Sequence, residues 1–265
     1  MKKRIISAIV MLAIFIPLLI IGGLPFRILG TVVSLMGAYE LLKIREKKKP
    51  FPLVLKILTY LLTAAITLHN TNNTVINYIF DYRYLTFILF IYLSSMVLIN
   101  DKKKYNINDA FYLIGSALFI GLSFNLLVQI RNYSIFYIIY IFLITITTDT
   151  FAMAIGRRIG KHKMAPLISP NKTYEGSAGA IIMGTLIPSI FYIEVIGSNN
   201  IALIIGATCI LSIVAQLGDL SFSAIKRYYD KKDFSNLIPG HGGILDRLDS
   251  VIFVLLVFVI FLNYI

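Results

Sequence analysis

Acidic, basic and hydroxyl side chains near the end of an apolar segment could together bind a metal ion and phosphate. Asp219, Ser223 and Lys226 are spaced at i, i+4 and i+7, which places them on one side of a helix. Lys226 marks the polar end of the segment, so Asp219 lies about 10 Å deeper at a helical rise of ~1.5 Å per residue. A hydrated divalent cation such as Mg²⁺ is the favoured explanation for a carboxylate at that depth, with a buried Asp–Lys pair or a protonated acid as the alternative.

A glycine-rich turn, Pro239-Gly240-His241-Gly242-Gly243, leads directly into the last apolar segment. Its backbone N–H groups, including those of Gly242 and Gly243, together with the start of the following helix could bind an anion such as phosphate. A turn of this composition can equally be plain loop geometry. We expect His241 to form a hydrogen bond with a bound phosphate rather than to act as a general base.

Two acids, Asp246 and Asp249, lie one turn apart at the start of the helix that follows this turn. Asp246, which precedes Arg247, is the predicted second metal ligand and the predicted partner of Asp219. Asp249 is a third candidate ligand, but acids in a first helical turn often only stabilise the helix dipole. The two interpretations of Asp249 predict different losses of activity when its carboxylate is removed.

A second polar stretch reads Ser169-Pro170-Asn171-Lys172-Thr173-Tyr174-Glu175-Gly176. Lys172 offers a positive charge for a phosphate and Thr173 offers a hydroxyl. Ser169 or Thr173 can instead cap the following helix, with Glu175 in its first turn. Capping accounts for the hydroxyls and for Glu175 but not for Lys172.

Asp149 is a further acid inside an apolar segment, two turns before Arg157 and Arg158. Charged residues within bilayer-spanning segments are costly and by default indicate a functional site. Asp149 is therefore either a base-recognition or metal-site residue, or one half of a structural ion pair.

The composition is that of a polytopic membrane protein rather than of a soluble domain. Hydrophobic residues make up 58% of the 265 positions and charged residues 14%, with a mean hydropathy of +0.82. The formal net charge is +12, but the basic residues lie in short clusters between apolar segments and form no contiguous face. Nucleic-acid binding is therefore not indicated.

The apolar segments predict an all-α fold with about nine transmembrane helices in one bundle, each long enough to cross about 30 Å of hydrocarbon. They lie near residues 5–22, 26–43, 52–68, 84–100, 110–130, 134–156, 176–196, 201–225 and 244–263. Most of the 25 Lys and Arg residues fall in alternate loops, which predicts a cytoplasmic N-terminus. We expect residues 1–130 to supply scaffold, lipid and dimer contacts, and residues 131–265 to form the catalytic part, with cytoplasmic loops 157–175 and 226–243.

The polar residues of the C-terminal half form a recognisable pattern. It reads Ser223-x-Ile225-Lys226-Arg227, four residues, then Lys232-Asp233-x-Ser235-x-x-Ile238-Pro239-x-His241-Gly242-Gly243-Ile244-x-Asp246-Arg247-Leu248-Asp249. This pattern resembles the signature of phosphatidate cytidylyltransferases, also called CDP-diacylglycerol synthases. The stretch from Ser169 to Gly176 is similar to a second motif of that family, with Asn171 where a Lys is frequent. Residues 1–130 resemble the family only in hydropathy.

The resemblance implies a membrane enzyme of phospholipid biosynthesis in the bacterial inner membrane, with its active site facing the cytoplasm. The reaction would convert CTP and phosphatidate into CDP-diacylglycerol and pyrophosphate, with Mg²⁺ required. Asp219 and Asp246 would hold the metal centre, which in this family can include a monovalent cation such as K⁺. Lys226 and His241 would be catalytic, and the chain would form a homodimer. The residues predicted to contact substrate are Asp149, Ser169, Lys172, Thr173, Glu175, Ser223, Arg227, Gly242, Gly243 and Arg247.

Two other functions fit parts of the sequence. A related CTP-dependent kinase of a lipid alcohol would need a base for a neutral hydroxyl, and the unbroken signature disfavours it. A cation-coupled transporter could use Asp149, Asp219 and Asp246 as an ion pathway, but transporters often carry inverted repeats with interrupted helices at the midplane. Here the polar groups concentrate at one surface and the sequence shows no repeat.

Overall fold

α-Helices form nearly all the regular structure in this computed structural model, which describes residues 2–69, 82–197, 200–262 and 264. Within these residues the helices are α1 (Lys2–Ile21), α2 (Gly23–Glu46), α3 (Leu53–Leu68), α4 (Tyr82–Ile99), α5 (Ile107–Tyr133), α6 (Ile135–Ile159), α7 (Tyr174–Phe191), α8 (Ile201–Tyr228) and α9 (Leu245–Phe261). A short π-helical turn, Tyr192–Ile196, extends α7. Two short strands, β1 (Lys163–Ala165) and β2 (Ser169–Thr173), pair antiparallel between α6 and α7.

Four helical segments within the described residues are long and apolar enough to cross a membrane by length and composition: Ile107–Tyr133, Ile135–Ile159, Tyr174–Ile196 and Ile201–Tyr228. Three shorter apolar helices cover Ile5–Ile21, Leu53–Leu68 and Leu85–Ile99. The chain is therefore a helical membrane protein, as its composition predicted. The count of nine spans and the cytoplasmic N-terminus remain predictions.

The described residues fall into two compact units. The first draws on Met1–Gln129 and Phe234–Ile244, and the second on Ile130–Asp233 and Leu245–Ile265. The first unit packs α2 to α5 around a buried apolar core that includes Leu42, Ile66, Ile88, Tyr92 and Leu113. We call the segment Phe234–Ile244 the glycine loop. It belongs to the first unit although both of its neighbours in the chain belong to the second.

Helix α7 has one small-residue face and one large apolar face, both spaced by four residues. Gly176, Ala180 and Gly184 are buried, whereas the apolar residues that share the other face are exposed: Ile182, Leu186 and Ile190. Small residues let neighbouring helices approach closely in a membrane, where apolar packing against lipid gives little driving force. A Cβ at Gly176 would lie only 2.7 Å from the carbonyl oxygen of Ala152 in α6. The small face therefore brings α7 against α6, the helix that carries Asp149.

Replacing Gly184 by Ala is expected to lower the thermal stability of the protein. A Cβ at this position would lie 2.3 Å from the hydroxyl oxygen of Thr148 and 2.7 Å from that of Ser212, and these two hydroxyls are hydrogen-bonded to each other at 2.9 Å. Overpacking of this kind typically costs about 1–3 kcal/mol. Thermal unfolding of the detergent-solubilised protein measures the loss.

Gly206→Ala is the matched control, because a Cβ at Gly206 of α8 meets no described atom within 4 Å. Alanine has the higher helix propensity, by about 1 kcal/mol, so the control should melt at the same or a higher temperature. Equal destabilisation by both substitutions would contradict the packing explanation.

The hairpin between α6 and α7 was not predicted from the sequence, which indicated only a loop there. The hydroxyl of Thr173 accepts a hydrogen bond from the backbone N–H of Gly176 and so caps α7, which confirms the capping interpretation. Glu175 accepts hydrogen bonds from the backbone N–H groups of Lys161 and His162 and contacts Nδ1 of His162 at 2.5 Å. These contacts give Glu175 a structural role at the start of α7.

Candidate active site

Asp219 and Lys172 form an ion pair in the second unit, with 2.6 Å between Oδ2 and Nζ. Lys172 lies on β2 just before α7, and Asp219 lies in α8. Both side chains are partly exposed, at 22% and 30%, so the pair is open to a ligand. Ser223 donates a hydrogen bond to Oδ1 of Asp219 at 3.4 Å, which confirms that these two residues share one side of α8. Because Asp219 is paired with Lys172, a structural Asp–Lys pair remains the alternative to a bound cation at this carboxylate.

A second ion pair joins α8 to α9, because Nζ of Lys226 lies 2.8 Å from Oδ1 of Asp246. Only 11% of the lysine side chain and 4% of the aspartate side chain are exposed. A charge removed from water to this extent is costly unless it is paired. The sequence spacing did not predict this partner for Asp246, whose role as a metal ligand stays a prediction.

Three carboxylates from three helices interact electrostatically within the second unit. Asp249 of α9 interacts with both Asp219 and Asp149, and Asp149 of α6 also interacts with Lys172. Asp149 therefore belongs to the same cluster as Asp219, which favours its interpretation as a site residue. We call Asp149, Asp219 and Asp249, with the ion pairs of Lys172 and Lys226, the acid–lysine cluster.

Gly218 explains how α9 comes close enough to α8 for this cluster to form. A Cβ at Gly218 would lie 2.9 Å from the carbonyl oxygen of Asp249 and 2.9 Å from Cβ of Phe253. Contacts as short as this exclude any larger residue unless the helices separate. Gly218, which precedes Asp219 in the sequence, thus lets the backbone of Asp249 in α9 lie close to α8.

The donor set of the cluster suits Mg²⁺, a hard cation that prefers carboxylate oxygen. Among the described residues, no group of three or more His, Cys, Asp and Glu side chains is arranged so that it could hold a metal ion. Such a set is not required, because Mg²⁺ usually keeps several waters and binds through one or two carboxylates plus substrate phosphates. One or two carboxylates of the cluster fit this mode of binding, and the magnesium ion itself stays a prediction.

The glycine loop corrects the prediction of free backbone N–H groups. The N–H groups of His241 and Gly242 both donate to the carbonyl oxygen of Ile238, at 2.9 and 3.2 Å, and Ile238 donates to the carbonyl oxygen of Gly242. The N–H of Ile244 donates to the side chain of Glu40. The N–H groups of His241 and Gly242 are therefore hydrogen-bonded within the turn, as in plain loop geometry. Phosphate binding by Gly242, Gly243 and the start of α9 stays a prediction.

The side chain of His241 is held from α1. The hydroxyl of Ser7 lies 2.7 Å from Nδ1 of His241 and donates to the carbonyl oxygen of Pro239 at 3.1 Å. Both contacts join the side chain of Ser7 in α1 to the glycine loop. Ser7 therefore orients the imidazole, a role that nothing in the spacing of the sequence indicated.

The remaining predicted substrate contacts lie at the periphery of the second unit. Nε of Arg227 donates to the carbonyl oxygen of Ile168 at 3.2 Å and so connects the end of α8 to the hairpin. Ser169 begins β2 opposite Ala165, and Arg247 is exposed on α9. The contacts of Arg227 and Ser169 account for their positions structurally, and the substrate roles of all three residues stay predictions.

The fold is that of a helical membrane protein with acids and lysines gathered in one unit, and the comparison with known proteins gives the family. The model of the cytidylyltransferase family matches residues 2–265. The chain is 37% identical over 255 residues to the phosphatidate cytidylyltransferase of Staphylococcus aureus (strain COL), which covers 96% of each chain. It is 38% identical, with the same coverage, to the phosphatidate cytidylyltransferases of Staphylococcus haemolyticus (strain JCSC1435) and Staphylococcus epidermidis (strain ATCC 12228). The chain belongs to the cytidylyltransferase family, which confirms the resemblance carried by its motifs.

Proposed function

We propose that this chain is a phosphatidate cytidylyltransferase, which converts CTP and phosphatidate into CDP-diacylglycerol and pyrophosphate. The observation that carries the proposal is the acid–lysine cluster, which combines two lysines and four carboxylates within one unit of a membrane protein. Relatives that align with 96% of the chain bear the name of this activity. The cluster and the names of these relatives together favour the transfer of a charged nucleotide to a lipid.

In the proposed reaction, a phosphate oxygen of phosphatidate attacks the α-phosphorus of CTP. The new P–O bond forms as the bond between the α-phosphorus and the oxygen bridging to the β-phosphorus breaks, and pyrophosphate leaves. A phosphate monoester has its second pKa near 6 and is already an anion at neutral pH, so no strong general base is needed. The protein must instead align two polyanions and neutralise their charge.

The lysines of the cluster are the proposed neutralising groups. Lys172 and Lys226 each carry a positive charge that is held in place by an aspartate, and a point charge of this kind suits phosphate oxygens. Asp219 and Asp246 thus fix the lysines where the phosphates of CTP are proposed to bind. Arg227 and His241 are proposed to bind further phosphate oxygens.

Asp149 has a separate proposed role beside this phosphate site. It is exposed although it lies within the apolar helix α6, and a carboxylate there is costly unless it faces a polar space. Carboxylates accept hydrogen bonds from the exocyclic amine of cytosine. We therefore propose that Asp149 either recognises the cytosine base or belongs to the metal site.

A magnesium ion is proposed to complete the site and, when bound, would neutralise charge on the phosphates of CTP. Asp219 and Asp246 are the predicted ligands, and the coupling of Asp249 to Asp219 makes Asp249 a third candidate. A monovalent cation such as K⁺ and a homodimeric state are further proposals from the family resemblance. Nine spans with the site at the cytoplasmic face of the inner membrane would let CTP enter from water and phosphatidate arrive from the leaflet.

The test is a phosphatidate-dependent release of pyrophosphate by the purified protein in the presence of CTP and Mg²⁺. Phosphatidate should support the reaction and diacylglycerol, which lacks the phosphate, should not. Release of CDP, without pyrophosphate, when diacylglycerol is the only lipid would favour the CTP-dependent lipid-alcohol kinase. Cation-dependent transport in vesicles without any nucleotide chemistry would favour the transporter.

A further inference from the structure

Glu40 is a fully buried acid in the C-terminal half of α2, at 0% exposure. Its carboxylate accepts two hydrogen bonds through Oε1, from the hydroxyl of Ser235 at 2.5 Å and from the backbone N–H of Ile244 at 2.9 Å. Ser235 and Ile244 lie at opposite ends of the glycine loop. One oxygen atom of α2 therefore holds both ends of a loop that is remote from it in the sequence.

Gly243 lies directly against the same carboxylate. A Cβ at Gly243 would lie 2.3 Å from Oε1 and 2.6 Å from Cδ of Glu40, so this close approach requires glycine. The glycine of the signature thus has a packing reason that is independent of any ligand. Burial of a carboxylate is costly unless it is hydrogen-bonded, and the loop supplies that hydrogen bonding.

We propose that Glu40 is a positioning residue for the cytidylyl-transfer reaction, because it fixes the glycine loop that carries His241 and sets where the chain enters α9. Ile244 immediately precedes α9, and Asp246 follows two residues later. The backbone at Ile244 therefore leads directly to Asp246, the partner of Lys226. Glu40 acts through these residues and not on substrate, and the inference rests on the proposed function.

The kinetic test compares Glu40→Leu with Glu40→Gln, each purified in detergent and assayed with CTP and phosphatidate. Leucine removes the acceptor, so kcat should fall roughly 10- to 100-fold, the cost of a small misplacement of reacting groups. Glutamine keeps an oxygen that can accept from both Ser235 and Ile244 and should restore most of the lost kcat. Ser235→Ala removes one of the two bonds and should give an intermediate loss.

Glu46→Gln is the matched control, because Glu46 lies in the same helix and pairs with Lys56 at 2.8 Å, away from the loop. It should leave kcat unchanged. Equal loss in Glu46→Gln and Glu40→Leu, or unchanged kcat in a folded Glu40→Leu and in Ser235→Ala, would overturn the proposal. If Glu40→Leu does not fold, Ser235→Ala and Glu40→Gln carry the comparison.

Hydrogen–deuterium exchange tests the contact without relying on activity. In Glu40→Leu, exchange should rise in peptides that contain Ile244 and stay unchanged in peptides from α7, because the amide of Ile244 loses its acceptor. Unchanged exchange at Ile244 would overturn the proposed contact. Unmodified protein that makes no CDP-diacylglycerol would instead refute the proposed function, and the exchange result would still stand by itself.

Discussion

Replacing Asp219 by Asn is expected to lower kcat by about 10²–10³-fold, the range seen when one preorganised electrostatic group is removed from an active site. The substitution removes the charge that holds Lys172 and that couples to Asp149 and Asp249, while the size of the side chain stays the same. The steady-state rate of CDP-diacylglycerol formation at saturating CTP and phosphatidate measures the effect.

Asp101→Asn is a suitable control for this loss, because Asp101 is a partly exposed acid whose ion pair with Lys104 is long, at 3.8 Å. It should retain full activity. Full activity in Asp219→Asn would contradict the proposed site. If Asp249 has the same role as Asp219, Asp249→Asn should lose a comparable amount of activity. If Asp249 only stabilises the helix dipole, Asp249→Asn should keep most of the activity.

Replacing Lys226 by Met is expected to reduce both activity and stability. The change leaves the side chain of Asp246, which is 4% exposed, without its positive partner, and breaking a buried ion pair in this way typically costs about 3–5 kcal/mol. Activity should fall on the order of 10²-fold if the lysine also neutralises phosphate charge. Thermal unfolding and the product-formation assay measure the two effects separately.

Exchanging the two residues separates these roles. The double variant Lys226→Asp with Asp246→Lys restores a pair of opposite charges, so it should recover part of the lost stability while activity stays low. Recovery of activity together with stability would mean that the pair only holds α8 to α9. Lys231→Met, a change in a partly exposed lysine of the same basic stretch, should affect neither property.

Much of the candidate site was predictable because its chemistry is local in sequence. Helical spacing alone placed Asp219 and Ser223 on one side of α8, and the residue types indicated cation and phosphate chemistry. The motif of the C-terminal half led to the family, which the full-length match then confirmed. Apolar segment lengths gave the helical membrane class but not which helices pack together.

The parts that the sequence did not predict depend on long-range contacts. The pairing of Lys172 with Asp219 joins positions far apart in the chain, and no periodicity reports such a contact. The role of Glu40 had one faint signal, an acid within an apolar helix, but its partners in the glycine loop are remote in sequence. The glycine content of the turn likewise did not reveal that the N–H groups of His241 and Gly242 are hydrogen-bonded within it.

The position of a radiolabel after the reaction tests the central claim most directly. Purified protein is given phosphatidate and Mg²⁺ with CTP labelled either at the α-phosphorus or at the γ-phosphorus, and the lipid and aqueous products are separated. Cytidylyl transfer predicts that the α-label enters the lipid as CDP-diacylglycerol and that the γ-label leaves in pyrophosphate. A γ-label in the lipid, with the α-label left in water-soluble CDP, would contradict the account.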